Sequence, residues 1–149
     1  MHHHKIIAIQ ERKQKEGKPD RTVYEITDVG IKTAYTWLRE MLSVPKQEFS
    51  DFPAAISFLM FLTPQDVIDQ FQKRANALEE ILAQIKYQFS TIGEIPRLFL
   101  LEIEYQCAVI KAELEWIRSI INDIQAEKLQ WDMEWLRKIA TSHSKSEEL

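Results

Sequence analysis

The chain is poor in the residues that make turns, cross-links and catalytic centres: its 149 residues include three glycines, five prolines and one cysteine. So little glycine and proline excludes a turn-rich β fold and a low-complexity chain. With an apolar share of 45% it points to regular, mainly helical structure. One cysteine, Cys107, excludes an internal disulfide, and no charged-then-apolar leader opens the chain, so a reducing cytoplasm is the expected compartment. The longest apolar run, Phe58 to Leu62, falls far short of the roughly 20 residues that cross a bilayer, so no membrane partner is expected. Positive charge is not in excess either. With 19 Lys and Arg against 23 Asp and Glu, the net charge of −4 gives no general attraction to nucleic acid, and any contact with DNA must come from a local patch.

Catalytic chemistry is equally short of parts, and the expectation is that the protein is not an enzyme. His143 is the only histidine beyond His2–His4, and those three, with no second ligand cluster, read as a solvated terminus rather than a metal site. Gly17, Gly30 and Gly93 are too scattered for a phosphate loop. Cys107 falls on an apolar helical seam, where it reads as a small buried hydrophobe. Glu102, Glu104, Glu113 and Glu115 alternate with apolar stripes as a solvated face does. No cofactor and no metal are expected.

What is present begins with a hairpin. Lys5 to Gln10 is rich in β-branched residues and Thr22 to Ile26 alternates apolar with polar, so each reads as a short strand. Between them Gly17, Pro19 and Asp20 supply turn chemistry for a long tip. The tip carries five cations, Arg12, Lys13, Lys15, Lys18 and Arg21, against Glu11, Glu16 and Asp20. Such a patch neutralises a few phosphates and positions a protein on DNA without reading sequence.

A helix is expected from Thr27-Asp28, capped by the threonine and stopped before Pro45, with Ile31, Tyr35, Leu38 and Leu42 on one face against the hairpin. After a linker at Ser43 to Ser50, Phe52 to Leu62 reads as a short helix that is apolar nearly all round and therefore buried. Thr63-Pro64-Gln65-Asp66 opens a long helix whose seam runs through Ile68, Phe71, Ala75, Leu78, Leu82, Ile85 and Phe89. A second long helix after Pro96 has one seam at Leu100, Ile103, Cys107, Ile110, Leu114, Ile117, Ile121 and Ile124. A second stripe follows Tyr105, Val109, Ala112, Trp116 and Ile120. The loop Ser90 to Ile95 is short enough to fold the two helices into an antiparallel hairpin. Two seams on one helix imply a neighbour on each side, one of them from another chain, and the first seam is the expected homodimer interface. Trp131 to Leu136 should add a helical turn or two, and Thr141 to Leu149 should be a disordered tail.

In this order the elements resemble the PadR family, in its branch with a long C-terminal domain of the virulence-activator type. The likeness rests on Gly17-Lys-Pro-Asp-Arg-Thr-Val-Tyr-Glu-Ile-Thr-Asp-Val-Gly30 ahead of Trp37-Leu38, and on Phe52 to Phe58 with Leu62-Thr-Pro64. It continues in Pro96 to Leu101, Ala112 to Trp116, Trp131-Asp132 and Trp135-Leu136. The resemblance implies a mainly α fold: the β-hairpin wing of a winged helix-turn-helix followed by a long helical antiparallel hairpin used for dimerisation. It divides the chain into an incomplete DNA-binding unit at 1–44, a helical dimerisation domain at 45–139 and a polar tail at 140–149.

The function it implies is a homodimeric transcriptional repressor on double-stranded DNA, released by a small aromatic effector. Phe99, Tyr105, Trp116, Trp131 and Trp135 are the candidate rings for that effector. A winged helix has three helices before its wing, the third reading bases, whereas this sequence opens on the first wing strand. DNA binding is therefore expected when those helices are supplied. The alternative is a helical dimerisation or scaffolding module with no DNA binding of its own.

Overall fold

β-branched residues flanking a basic turn give the antiparallel pair Ile7–Lys13 (β1) and Arg21–Ile26 (β2). The structure is a computed structural model and describes residues 7–13, 21–46 and 50–144; the backbone alone is described for 9–13, 21 and 23. The ladder pairs Ile7 with Ile26 and Ile9 with Tyr24, then resumes with Glu11 opposite Val23 and Lys13 opposite Arg21. Gln10 is the extra residue of a β-bulge, which shifts the alternation of the distal strand and adds twist.

Helix α1, Asp28–Ser43, follows directly. Its first turn is closed by the Thr27 hydroxyl, which accepts the Gly30 N–H at 3.1 Å, and by Asp28 at the positive end of the dipole. Strands and helix form one compact unit, which ends at Phe49. The face expected to pack on the hairpin is open: Ile31, Tyr35 and Leu38 are exposed and Leu42 is 80% exposed, and Gly30 is the one buried residue of α1. Two strands and one helix offer too little surface to enclose a core.

The second unit starts at Ser50. Here the expected buried helix at Phe52 to Leu62 is corrected. The segment is a six-residue helix, Asp51–Ile56 (α2), then a single 3-10 turn at Leu59–Phe61, and none of these residues is buried. The α pattern gives way at its end, where the Phe58 N–H bonds three residues back to Ala55, so the apolar residues fan out rather than sharing a face. Phe52 and Leu59 reach the core, while Phe58 and Phe61 stack with centroids 6.3 Å apart and remain exposed.

Helix α3, Pro64–Thr91, begins as its sequence requires, with proline in the first turn and the Thr63 hydroxyl accepting the Asp66 N–H. After a short loop and a 3-10 turn at Arg97–Leu100, helix α4, Leu101–Gln125, returns antiparallel to it. The core lies between them: Val67, Phe71 and Ala75 from α3, with Ile110, Leu114, Ile117, Ile121 and Ile124 from α4. Ile117 is wholly shielded from solvent. Burying side chains of this size is worth about 1.5–3 kcal/mol each, whereas the partly exposed bridges Arg74–Glu113 (2.9 Å) and Arg118–Glu79 add little. Packing of apolar side chains, not ion pairing, joins the two helices.

α4 ends in a Schellman turn: the Glu127 N–H bonds the Ile124 carbonyl and the Lys128 N–H bonds the Asp123 carbonyl, with Glu127 at φ 58°. The chain is then tied back by the Trp131 indole N–H, which donates to the Leu62 carbonyl at 2.8 Å. Helix α5, Met133–Ser144, follows, its first turn capped by the Asp132 carboxylate on the Trp135 N–H. It runs four residues into the stretch read from sequence as a disordered tail. The hydroxyls of Thr141 and Ser142 there bond back onto the preceding turn, which keeps polar residues compatible with helix; 145–149 lie outside the described residues.

Candidate nucleic-acid interface

The bulged hairpin brings three of the five expected DNA-contacting residues to its distal end. Lys13 stands opposite Arg21 across the ladder and Arg12 opposite Thr22, so three basic positions fall in the last two register pairs of the two strands. Lys15 and Lys18 lie outside the described residues, as do His2–His4. Lys32 and Arg39 add positive charge on α1 of the same unit. A two-stranded ribbon ending in basic residues matches the chemistry of a phosphate-contacting element.

The eight residues expected at a dimer interface divide into two sets. Ile110, Leu114, Ile117, Ile121 and Ile124 are buried within the chain, and α3 of the same chain accounts for that burial. Leu100, Ile103 and Cys107 are half-buried, where the helix pair parts around a cavity of about 450 Å³ that Leu82, Ile85 and Phe89 line from α3. The second stripe of α4 is open in its first half only: Tyr105, Val109 and Ala112 are exposed, whereas Trp116 packs on Phe52 and Phe71 and Ile120 against the core. Leu98, Phe99 and Leu101, ahead of it, are exposed as well.

The five aromatic residues expected to share an effector pocket are dispersed. Phe99 and Tyr105 are exposed at 73% and 71%, Trp135 is half exposed, and none of the five rings stacks on another of the five. Trp131 lines a cleft of about 270 Å³ with Met60, Leu62 and Met133. Trp116 meets Phe52 edge-on at 6.3 Å and Phe71 at 5.8 Å.

That cluster also holds Arg74, which no sequence pattern singles out. Its guanidinium lies 3.6 Å from the Phe52 ring centre and bonds Glu113, and its Nε is buried without a partner. A cleft of about 430 Å³ opens beside it, lined by Leu59, Leu62, Val67, Gln70 and Phe71. Arg74 belongs to α3 and Glu113 to α4, so sequence spacing carried no signal of their meeting.

At the start of α4, Arg97 bonds Glu104 through Nε at 3.0 Å and Nη2 at 2.6 Å. These hydrogen bonds hold the Glu104 carboxyl below the usual range and raise Arg97. The bond's contribution is present above the ordinary glutamate range and lost as pH falls through the lowered value; both groups are fully exposed, so solvent screens it. Among the described residues no group of His, Cys, Asp and Glu is placed to hold a metal ion, and no helix is long and apolar enough to cross a membrane.

No family model matches the sequence, and no curated protein matches it. Its fold does match a solved structure, the crystal structure of Bacillus subtilis PadR in complex with operator DNA. The TM-score is 0.62 at 20% sequence identity, over 80% of this chain and 70% of that one. The likeness shows that this mainly helical chain, with its antiparallel β-hairpin and long paired helices, shares its fold with that PadR structure over the matched part.

Proposed function

We propose that the protein is a PadR-like DNA-binding transcriptional regulator: an effector-responsive, cytoplasmic repressor, present here as the wing and the helical dimerisation region. One observation carries this reading. The chain shares its fold with PadR captured on operator DNA, and its own hairpin carries basic residues at its distal register positions. In this role Arg12, Lys13, Lys15, Lys18 and Arg21 contact phosphates, the unit through residue 44 serves the DNA and the helices from 45 to 139 serve a homodimer. The cleft lined by Phe52, Phe71 and Arg74, where both rings touch Trp116, would take an aromatic effector. Fluorescence of that tryptophan reports its binding.

The test is the anisotropy of a labelled random-sequence duplex titrated with protein over a salt series. Affinity should fall linearly with salt on logarithmic axes. Replacing Lys15 and Lys18 by Gln should flatten the slope by about 1.8, since each phosphate contact contributes about 0.9, and leave the helical circular dichroism unchanged. An unaltered slope would remove the wing from the interface.

The second reading, an association module without DNA binding, is favoured by the open apolar face of α1. Salt-independent or undetectable duplex binding by a chain that still dimerises would support it over the first.

A further inference from the structure

We propose that the cavity between α3 and α4 binds a medium-chain aliphatic carboxylate, its tail among the apolar side chains and its charge at Lys86 and Lys111. The site is separate from the aromatic cluster named above for an effector, and the inference holds whether or not the chain contacts DNA. Leu82, Ile85 and Phe89 of α3 line the cavity with Leu100, Ile103 and Cys107. All six are half-buried, so apolar surface that the two helices leave in reach of water is there for a tail to cover. Its volume of about 450 Å³ lies within the roughly 300–1,000 Å³ usual for small-molecule sites.

The lining suits a chain better than a ring. Phe89 is the one aromatic side chain in it, and the ring contacts between helices gather instead around Phe52, Phe71 and Trp116. Length agrees: Leu82 to Phe89 and Ile103 to Lys111 run about 10 to 12 Å at 1.5 Å per residue. A ten-carbon acid, extended at about 1.2 Å per bond, runs about 11 Å.

Charge fixes the head group. Of the three charged residues that line the cavity, Glu104 is taken by Arg97, the shorter of two hydrogen bonds being 2.6 Å. Lys86 and Lys111 are exposed and belong to none of the ion pairs among the described residues. Lys86 has no acid one turn away on α3. Lys111 has Glu115, in the less favourable order along a helix, and the two form no bridge. The charge left at the edge of the cavity is positive, which selects an anion.

The test uses the full chain and sodium decanoate below its micelle concentration. Calorimetry should show saturable binding of one decanoate per chain. Alkylation of Cys107 by iodoacetamide should slow in proportion to the sites filled, because that thiol lines the cavity. Lys86→Gln with Lys111→Gln should weaken decanoate about tenfold, each exposed cation being worth a few-fold. It should leave the circular dichroism and the weaker binding of 1-decanol unchanged. Cinnamate, an acid with a ring for its tail, should protect Cys107 less than decanoate does. Absence of binding, binding without protection of Cys107, or a thiol already inert in the free protein overturns the site. Equal affinity for decanol, indifference to the lysine substitutions or equal protection by cinnamate overturns the ligand class.

Discussion

Glu127 occupies the left-handed position of the turn that ends α4, at φ 58°, where a side chain meets the backbone and glycine does not. The hydrogen bonds of the turn are complete, with Glu127 and Lys128 both donating back to α4, so the conformation is fixed by the turn and not by the residue. Glu127→Gly should therefore stabilise the protein. The left-handed penalty of about 1–2 kcal/mol is relieved, part of it offset by the greater backbone freedom of glycine in the unfolded chain. A net gain of under about 1 kcal/mol is expected, read as a higher denaturant midpoint at unchanged slope. Nothing in the sequence marks this position, because glutamate at a left-handed C-terminal turn breaks the glycine rule by which such turns are recognised.

At the scale of elements, the Trp131 indole bonds the Leu62 carbonyl across 69 positions and ties the segment after α4 to the start of α3. Trp131→Phe keeps most of the ring's packing and removes the donor. A loss of about 1 kcal/mol is expected, with faster amide exchange at the base of α5 than in α4, measurable by hydrogen exchange.

Helix starts were legible in the sequence because their causes are local: Thr27 and Thr63 accept the N–H groups their spacing offered, and proline stands in the first turn of α3. The antiparallel return of α4 was legible from the short loop and from apolar residues at steps of three and four. What was not legible is which partner each face takes. Periodicity gives α4 two apolar stripes of equal standing, and only the three-dimensional pairing assigns Ile110, Leu114 and Ile117 to α3 and leaves Tyr105 and Val109 open. The fate of Phe52 to Leu62 was misjudged for a related reason. Apolar composition states a need for cover and not that the same unit supplies it. The Arg74 cluster joins three elements, and no local pattern points to such a meeting.

For the whole molecule, the buried seam and the open stripe of α4 diverge within two adjacent residues. Ile110 and Val109 are about 100° apart around α4; Ile110 is buried in the core and Val109 is exposed on the outward stripe. Ile110→Asp puts an unpaired carboxylate in the apolar core between α3 and α4, or removes a packed aliphatic side chain if the acid is protonated. Either way the cost of several kcal/mol is a large part of the stability of a domain this size. The variant should lose cooperative thermal unfolding. Val109→Asp costs the folded monomer almost nothing, because water already reaches that position, yet it sets a carboxylate between Glu102 and Glu115 on the open stripe, an apolar surface that the proposed homodimer would cover. It should keep the circular dichroism of the wild type and sediment as a monomer. If instead Val109→Asp dimerises as the wild type does, the outward stripe is not the association surface. The cavity between Leu82, Phe89, Ile103 and Cys107 then becomes the place to introduce the next charge.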